Sequence, residues 1–242
     1  MTRHTPPIRG YTLVEVLLVV LLVGILVGLT APALSRAKFS ARRAASLSNL
    51  QSHVRVFASY LNDSRDVYPY LTDPSATFSV LRCGDLAVPV VYFEAAAFWN
   101  IGVADAYYNG DCHSAAFNPP GLPGLPGTLY YYSSSFLSAP EFWNPQTRIG
   151  PAQWRAVRAG EVIFPSLKGV LWNRAAFPGV SVGTYRTDLA EAAMVDGSAL
   201  AASPSTFLPG YRNGEGPYPG THQSGYGLPV LHTVDGVRGR DR

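Results

Sequence analysis

The hydrophobic positions of this chain fall into three regimes. Over residues 11–33 they are almost continuous, and from Val16 to Leu29 only Val, Leu, Ile and Gly occur. A bilayer core of ~30 Å needs about 20 helical residues, so this run predicts a helix long enough to span. Over residues 34–61 the pattern changes. Leu34, Ala37, Ala41, Ala44, Leu47, Leu50, Val54, Phe57 and Leu61 recur at spacings of three and four, which predicts an amphipathic helix with one face buried on a folded domain. Arg42, Arg43, Ser46, Gln51, His53 and Arg55 fall mostly on its other faces. Asn62-Asp63-Ser64 supplies a stop, and Tyr68-Pro69 enforces extended chain. Together the two stretches predict about 50 helical residues, roughly 75 Å at 1.5 Å per residue.

Beyond residue 63 the apolar residues come in short runs broken by Gly, Pro and Asp, which reads as a β-rich head over 63–242. Strands are predicted at 86–93, at Tyr130-Tyr131-Tyr132, at Glu161-Val162-Ile163-Phe164-Pro165 and at Gly169-Val170-Leu171-Trp172. Two more are predicted at 192–195 and 229–234, each running into an Asp-Gly turn, Asp196-Gly197 and Asp235-Gly236. The Pro- and Gly-rich stretch 117–128 is a loop, because its few Gly-x-y triplets are far too short for a collagen helix. The fold class expected is α+β, a long N-terminal helix on an antiparallel sheet.

Composition adds limits. Charged residues make up 14% of the 242 residues and the net charge is +3. The clearest basic cluster, Arg36, Lys38, Arg42 and Arg43, is local and sits on one helix, so no nucleic-acid partner is expected. The two cysteines, Cys83 and Cys112, match no zinc spacing. In an exported domain they would form a disulfide closing about 30 residues, worth roughly 3.5 kcal/mol in the chain-entropy account. In a cytosolic domain they would be two buried thiols.

Few residues suggest chemistry. Neither HExxH nor GxxxxGK[ST] is present. His222, His232, Asp196 and Asp235 form a metal cluster only on paper, and read better as turn aspartates and loop histidines. No catalytic residue, metal or cofactor is expected. The conspicuous residue is Glu15, one carboxylate near the start of the apolar run, where an ionisable group needs a function and a partner. Gly24 and Gly28 form a small-xxx-small pair that lets another helix approach.

Gly10-Tyr11-Thr12-Leu13-Val14-Glu15 followed by an apolar helix resembles the prepilin processing site of type IV pilins and type II secretion pseudopilins. The resemblance implies a leader at 1–10, a transmembrane and assembly helix at 11–33, an amphipathic half at 34–62 and a head at 63–242. It implies cleavage between Gly10 and Tyr11 by a prepilin peptidase and methylation of Tyr11. It also implies pairing of Glu15 with the N-terminal amine of a neighbouring subunit and a helix bend at Pro32. Partners would be other pilin or pseudopilin subunits and inner-membrane lipid, with the head in the periplasm or on the cell surface. Pro32-Ala33-Leu34-Ser35-Arg36-Ala37, Ala41-Arg42-Arg43, Leu47-Ser48-Asn49-Leu50, Tyr60, Asp63 and Tyr68-Pro69 further resemble a prepilin-like subgroup of planctomycete-type bacteria. That subgroup often carries Cys where Ser46 stands, and ends in a His- and Gly-rich segment before Asp-Gly, a pattern His222, Gly225, Gly227 and Asp235-Gly236 could fill. Some pseudopilins bind calcium in a C-terminal loop, for which the nearest acids here are Asp188, Glu191 and Asp196.

Two features point elsewhere. Four basic residues follow the span against Arg3 and Arg9 before it, an order that the positive-inside rule alone would place with the N-terminus outside; a prepilin leader must be cytoplasmic. Ala31-Pro32-Ala33 is an A-x-A tripeptide, so an ordinary secretory signal cut after Ala33, leaving a secreted or anchored binding or enzymatic domain, is the alternative.

Overall fold

The computed structural model describes residues 12–122, 127–176, 189–211 and 228–242. Gly10, Tyr11, Asp188, His222, Gly225 and Gly227 lie outside them. The chain divides into two units, Met1–Arg42 and Arg43–Arg242. Helix α1 (Leu13–Asp63) begins in the first unit and ends in the second, with Pro32 inside it. Its end at Asp63 matches the polar stop read from the sequence.

The second unit holds a four-stranded antiparallel sheet in sequential order: β3 (Tyr130–Tyr132), β4 (Gly169–Asn173), β5 (Ala190–Met194) and β6 (Ala199–Ala202). A separate hairpin pairs β1 (Ser79–Cys83) with β2 (Leu86–Val90), and a short helix α2 (Trp99–Tyr107) follows. The period-2 alternation of strand side chains assigns the two sheet faces. Tyr130, Tyr132, Leu171 and Ala193 join Leu50, Val54 and Phe57 of α1 in the main core. Tyr131, Trp172, Ala190, Ala192 and Met194 face the other way, against Phe207, Val230 and Leu231. β4 and β5 are buried at every residue, so neither shows the polar alternation of a half-exposed strand.

Three sequence expectations need correction. Residues 161–165 are not a strand. A 3-10 turn ends at Glu161, whose carboxylate accepts from the Arg158 amide at 3.0 Å and from both Arg155 guanidinium nitrogens at 2.9 and 2.7 Å; this local capping replaces a ladder. Residues 229–234 are turns. Pro229 has no N–H to give to a ladder, Val230 adopts φ +67°, and the His232 amide bonds back to Leu228 at 3.0 Å. The strand expected at 86–93 ends at Val90, and a 3-10 helix (Tyr92–Ala97) and then α2 follow it.

Both Asp-Gly pairs are turns. Gly197 has φ +88° and Asp196 Oδ1 accepts from the amide and hydroxyl of Ser198 at 2.9 and 2.7 Å. At Gly236, φ is +57° and a Cβ would meet the Trp143 ring at 2.8 Å, so the position admits only glycine.

Candidate functional site

The first unit is the candidate assembly site. Over its most apolar 18 residues α1 has a mean hydropathy of 2.8 and is 0% buried. Leu17, Leu18, Val19, Val20, Leu21 and Leu22 are each more than half exposed. Apolar surface on every side of a helix is stable only in lipid or against other helices. Two of its hydroxyls are satisfied locally. The Thr30 hydroxyl donates to the Leu26 carbonyl at 2.8 Å, and the Ser35 hydroxyl donates to the Ala31 carbonyl at 3.1 Å. Neither hydroxyl therefore needs water, as a spanning segment requires. Gly24 and Gly28 have nothing within 4 Å of a Cβ position, leaving a notch on the helix surface.

Glu15 sits in a capping box. Thr12 is the N-cap: its amide and hydroxyl both donate to Glu15 Oε2 at 2.8 Å, and its hydroxyl accepts from the Glu15 amide at 3.3 Å. The Thr-x-x-Glu spacing is thus a local helix-start signal as well as a resemblance to a processing site. Both side-chain bonds fall on one oxygen of a carboxylate that can accept about four, so capping leaves the group able to take a further cation.

In the second unit, two buried polar residues fix α1 in the core. His53 is fully buried. Its Nε2 donates to the Ala116 carbonyl at 2.8 Å, which leaves Nδ1 to accept from the Tyr108 hydroxyl at 2.6 Å. The ring stacks on Phe117 with centroids 5.3 Å apart and meets Trp99 edge-on at 5.1 Å. Burial pulls its pKa down to about 4, against a smaller opposing effect of the Ala116 bond. Ser46, one helix face away in the sequence reading, is also fully buried: its hydroxyl donates to Glu191 Oε2 at 2.6 Å, Tyr130 donates to it at 2.9 Å, and Asn173 Nδ2 donates to the same Glu191 oxygen at 2.8 Å. The buried face of α1 therefore begins at Ser46; Leu34, Ala37, Ala41 and Ala44, expected in the stripe, are exposed.

Cys83 and Cys112 form a disulfide with Cα atoms 6.3 Å apart. It joins β1 to the loop after α2 beside Leu81, Val90, Ile101 and Ala104.

No known protein family, characterised protein or solved structure matches the chain. The functional reading rests on the residues themselves.

Among the described residues, the sequence-derived metal candidates do not converge; His222 and Asp188 lie outside them. Glu191 is in the core and Asp196 is exposed in its turn. His232 stacks on Trp143 at 5.6 Å, and Asp235 accepts from Asn144 at 2.7 Å. Among the described residues no group of three or more His, Cys, Asp and Glu side chains could hold a metal ion. Gly179-Val180-Ser181-Val182-Gly183 has G-x-S-x-G spacing and lies outside the described residues.

Sequence reasoning missed His53, Ser46 and a buried Lys168–Asp241 pair. A His in a helix beside an apolar stripe is the only advance signal among them, and it does not distinguish a core position from a surface one.

Proposed function

We propose that this chain is a structural filament subunit of pilin or pseudopilin type, with a pilin-like head, and that it is not an enzyme. It is made as an inner-membrane precursor, cut between Gly10 and Tyr11 by a prepilin peptidase and methylated on Tyr11. Through α1 it then joins other such subunits in a type IV pilus or secretion-pseudopilus filament, with the head in the periplasm or at the cell surface. The observation that carries this reading is the first unit: an apolar helix exposed on all sides, with one carboxylate, Glu15, at its start.

Such a helix needs lipid before assembly and like helices afterwards. Since lipid tails are as apolar as Leu, moving from one to the other gains little from hydrophobicity. Close packing at Gly24 and Gly28, and the pairing of Glu15 with a neighbour's amine, must favour the filament.

The test is the N-terminus of the mature protein by mass spectrometry. N-methyl-Tyr11 supports the proposal. A chain beginning at Leu34 would assign residues 1–33 to a cleaved secretory signal and sink it.

A further inference from the structure

Among the described residues, Lys168 and Asp241 form the most deeply buried ion pair of the head. Nζ lies 2.8 Å from Oδ2, with the two side chains 0% and 2% exposed. The Phe136 ring centroid lies 5.5 Å from Nζ. Thr233 bridges the pair: its hydroxyl oxygen is hydrogen-bonded to Lys168 Nζ and lies 2.6 Å from Asp241 Oδ1. The Gly169 amide donates to Oδ2 at 2.8 Å, and the backbone of Asp241 is tied on both sides, to Leu167 and to Leu208, at 2.8 Å. The carboxyl is therefore held still beside an amine, out of water, with its two oxygens in different surroundings.

We propose that Lys168 and Asp241 condense to an intramolecular isopeptide bond between Nζ and Cγ, with release of one water. A buried ion pair suffers the desolvation of both charges. Burial also pulls the Lys168 pKa down. Moving one proton from the ammonium through the Thr233 hydroxyl to Asp241 Oδ1 removes both charges and produces the two reactants of an amidation, a free amine and a carboxylic acid. The Nζ lone pair attacks Cγ. Oδ2, held by the Gly169 N–H, takes up the developing negative charge as an oxyanion does, and becomes the amide oxygen. The Thr233 hydroxyl passes a second proton from Nζ to Oδ1, the Cγ–Oδ1 bond breaks, and Oδ1 leaves as water. Of the three ammonium protons, one stays on the amide nitrogen and two depart with the water. No oxidant, metal or cofactor is needed.

The bond is tested on the full chain purified from membranes, by intact mass after reduction of the disulfide and by peptide mapping. The expected mass is lower by one water than that of the linear chain, with a branched peptide joining Lys168 to Asp241. Lys168→Arg restores the full mass. Asp241→Asn gives the same branched peptide, with ammonia lost in place of water. A wild-type chain at full mass, with Lys168 and Asp241 in separate linear peptides, overturns the proposal, and this result does not depend on any variant folding. Thr233→Val slows appearance of the branched peptide after synthesis; formation at the wild-type rate would overturn the proton-relay role of Thr233.

Discussion

Protonation of His53 gives the sharpest stability prediction. In the folded head the ring is neutral by construction: Nε2–H is committed to the Ala116 carbonyl, Nδ1 accepts from Tyr108, and Phe117 and Trp99 exclude water. The ordinary histidine value is 6.5 and the folded value is about 4. Above pH 6.5 both folded and unfolded chains carry a neutral ring, and there is no effect. Between 6.5 and 4 the unfolded chain binds a proton that the folded one does not, so stability falls as pH falls. At about 1.4 kcal/mol per pH unit, the loss is about 3 kcal/mol at pH 4, and it levels off below that. His53→Gln keeps a donor for Ala116 and an acceptor for Tyr108 but cannot titrate; its lost ring contacts cost about 1 kcal/mol at every pH. The assay is urea unfolding of the detergent-solubilised chain followed by tryptophan fluorescence, which reports the head alone because Trp99, Trp143, Trp154 and Trp172 all lie there. The wild-type advantage over His53→Gln should shrink and reverse as pH drops from 7 to 4. Subtracting the variant removes the shared carboxylate titrations. Two curves that stay parallel across that range would refute a neutral, water-excluded His53.

Three further perturbations probe other parts of the molecule. Cys83→Ser/Cys112→Ser opens a loop with a sequence separation of 29, and should lower the head's unfolding free energy by about 3.5 kcal/mol in the chain-entropy account, read as a lower urea midpoint under non-reducing conditions. Phe57→Ala empties a site that is 1% exposed between Trp99 and Tyr132, and should cost about 3–5 kcal/mol in the same assay. Glu15→Leu should leave precursor cleavage intact, seen as the same mature band on a gel, while incorporation into sheared filaments falls; unchanged incorporation would remove Glu15 from assembly.

The parts legible in the sequence are those with strong local signals. The 51-residue helix α1 shows itself through an unbroken apolar run and then a three-four repeat, and its end through Asn62-Asp63. β3, β4 and β5 stand out as short apolar runs, and Asp196-Gly197 marks the turn between β5 and β6. What stays hidden depends on partners far along the chain. Ser46 is a polar residue off the apolar stripe until Glu191, 145 residues on, reaches it. Nothing local marks Lys168 for burial; Asp241, 73 residues on, meets it in the core. Residues 229–234 are apolar enough for a strand, but their backbone groups are taken by turns, and burial rather than pairing accounts for their hydrophobicity. On the helix, Leu34 to Ala44 continue a repeat whose buried face starts only at Ser46, because a periodic pattern states which side is apolar and not where along the helix the head begins.

The central claim concerns the N-terminal processing of α1, and one measurement tests it most directly: the N-terminal residue of the mature chain isolated from its native membranes or filaments, identified by tandem mass spectrometry. The expected chain starts at Tyr11 and carries an N-methyl group. A chain that starts at Leu34, or one that retains Met1, contradicts it.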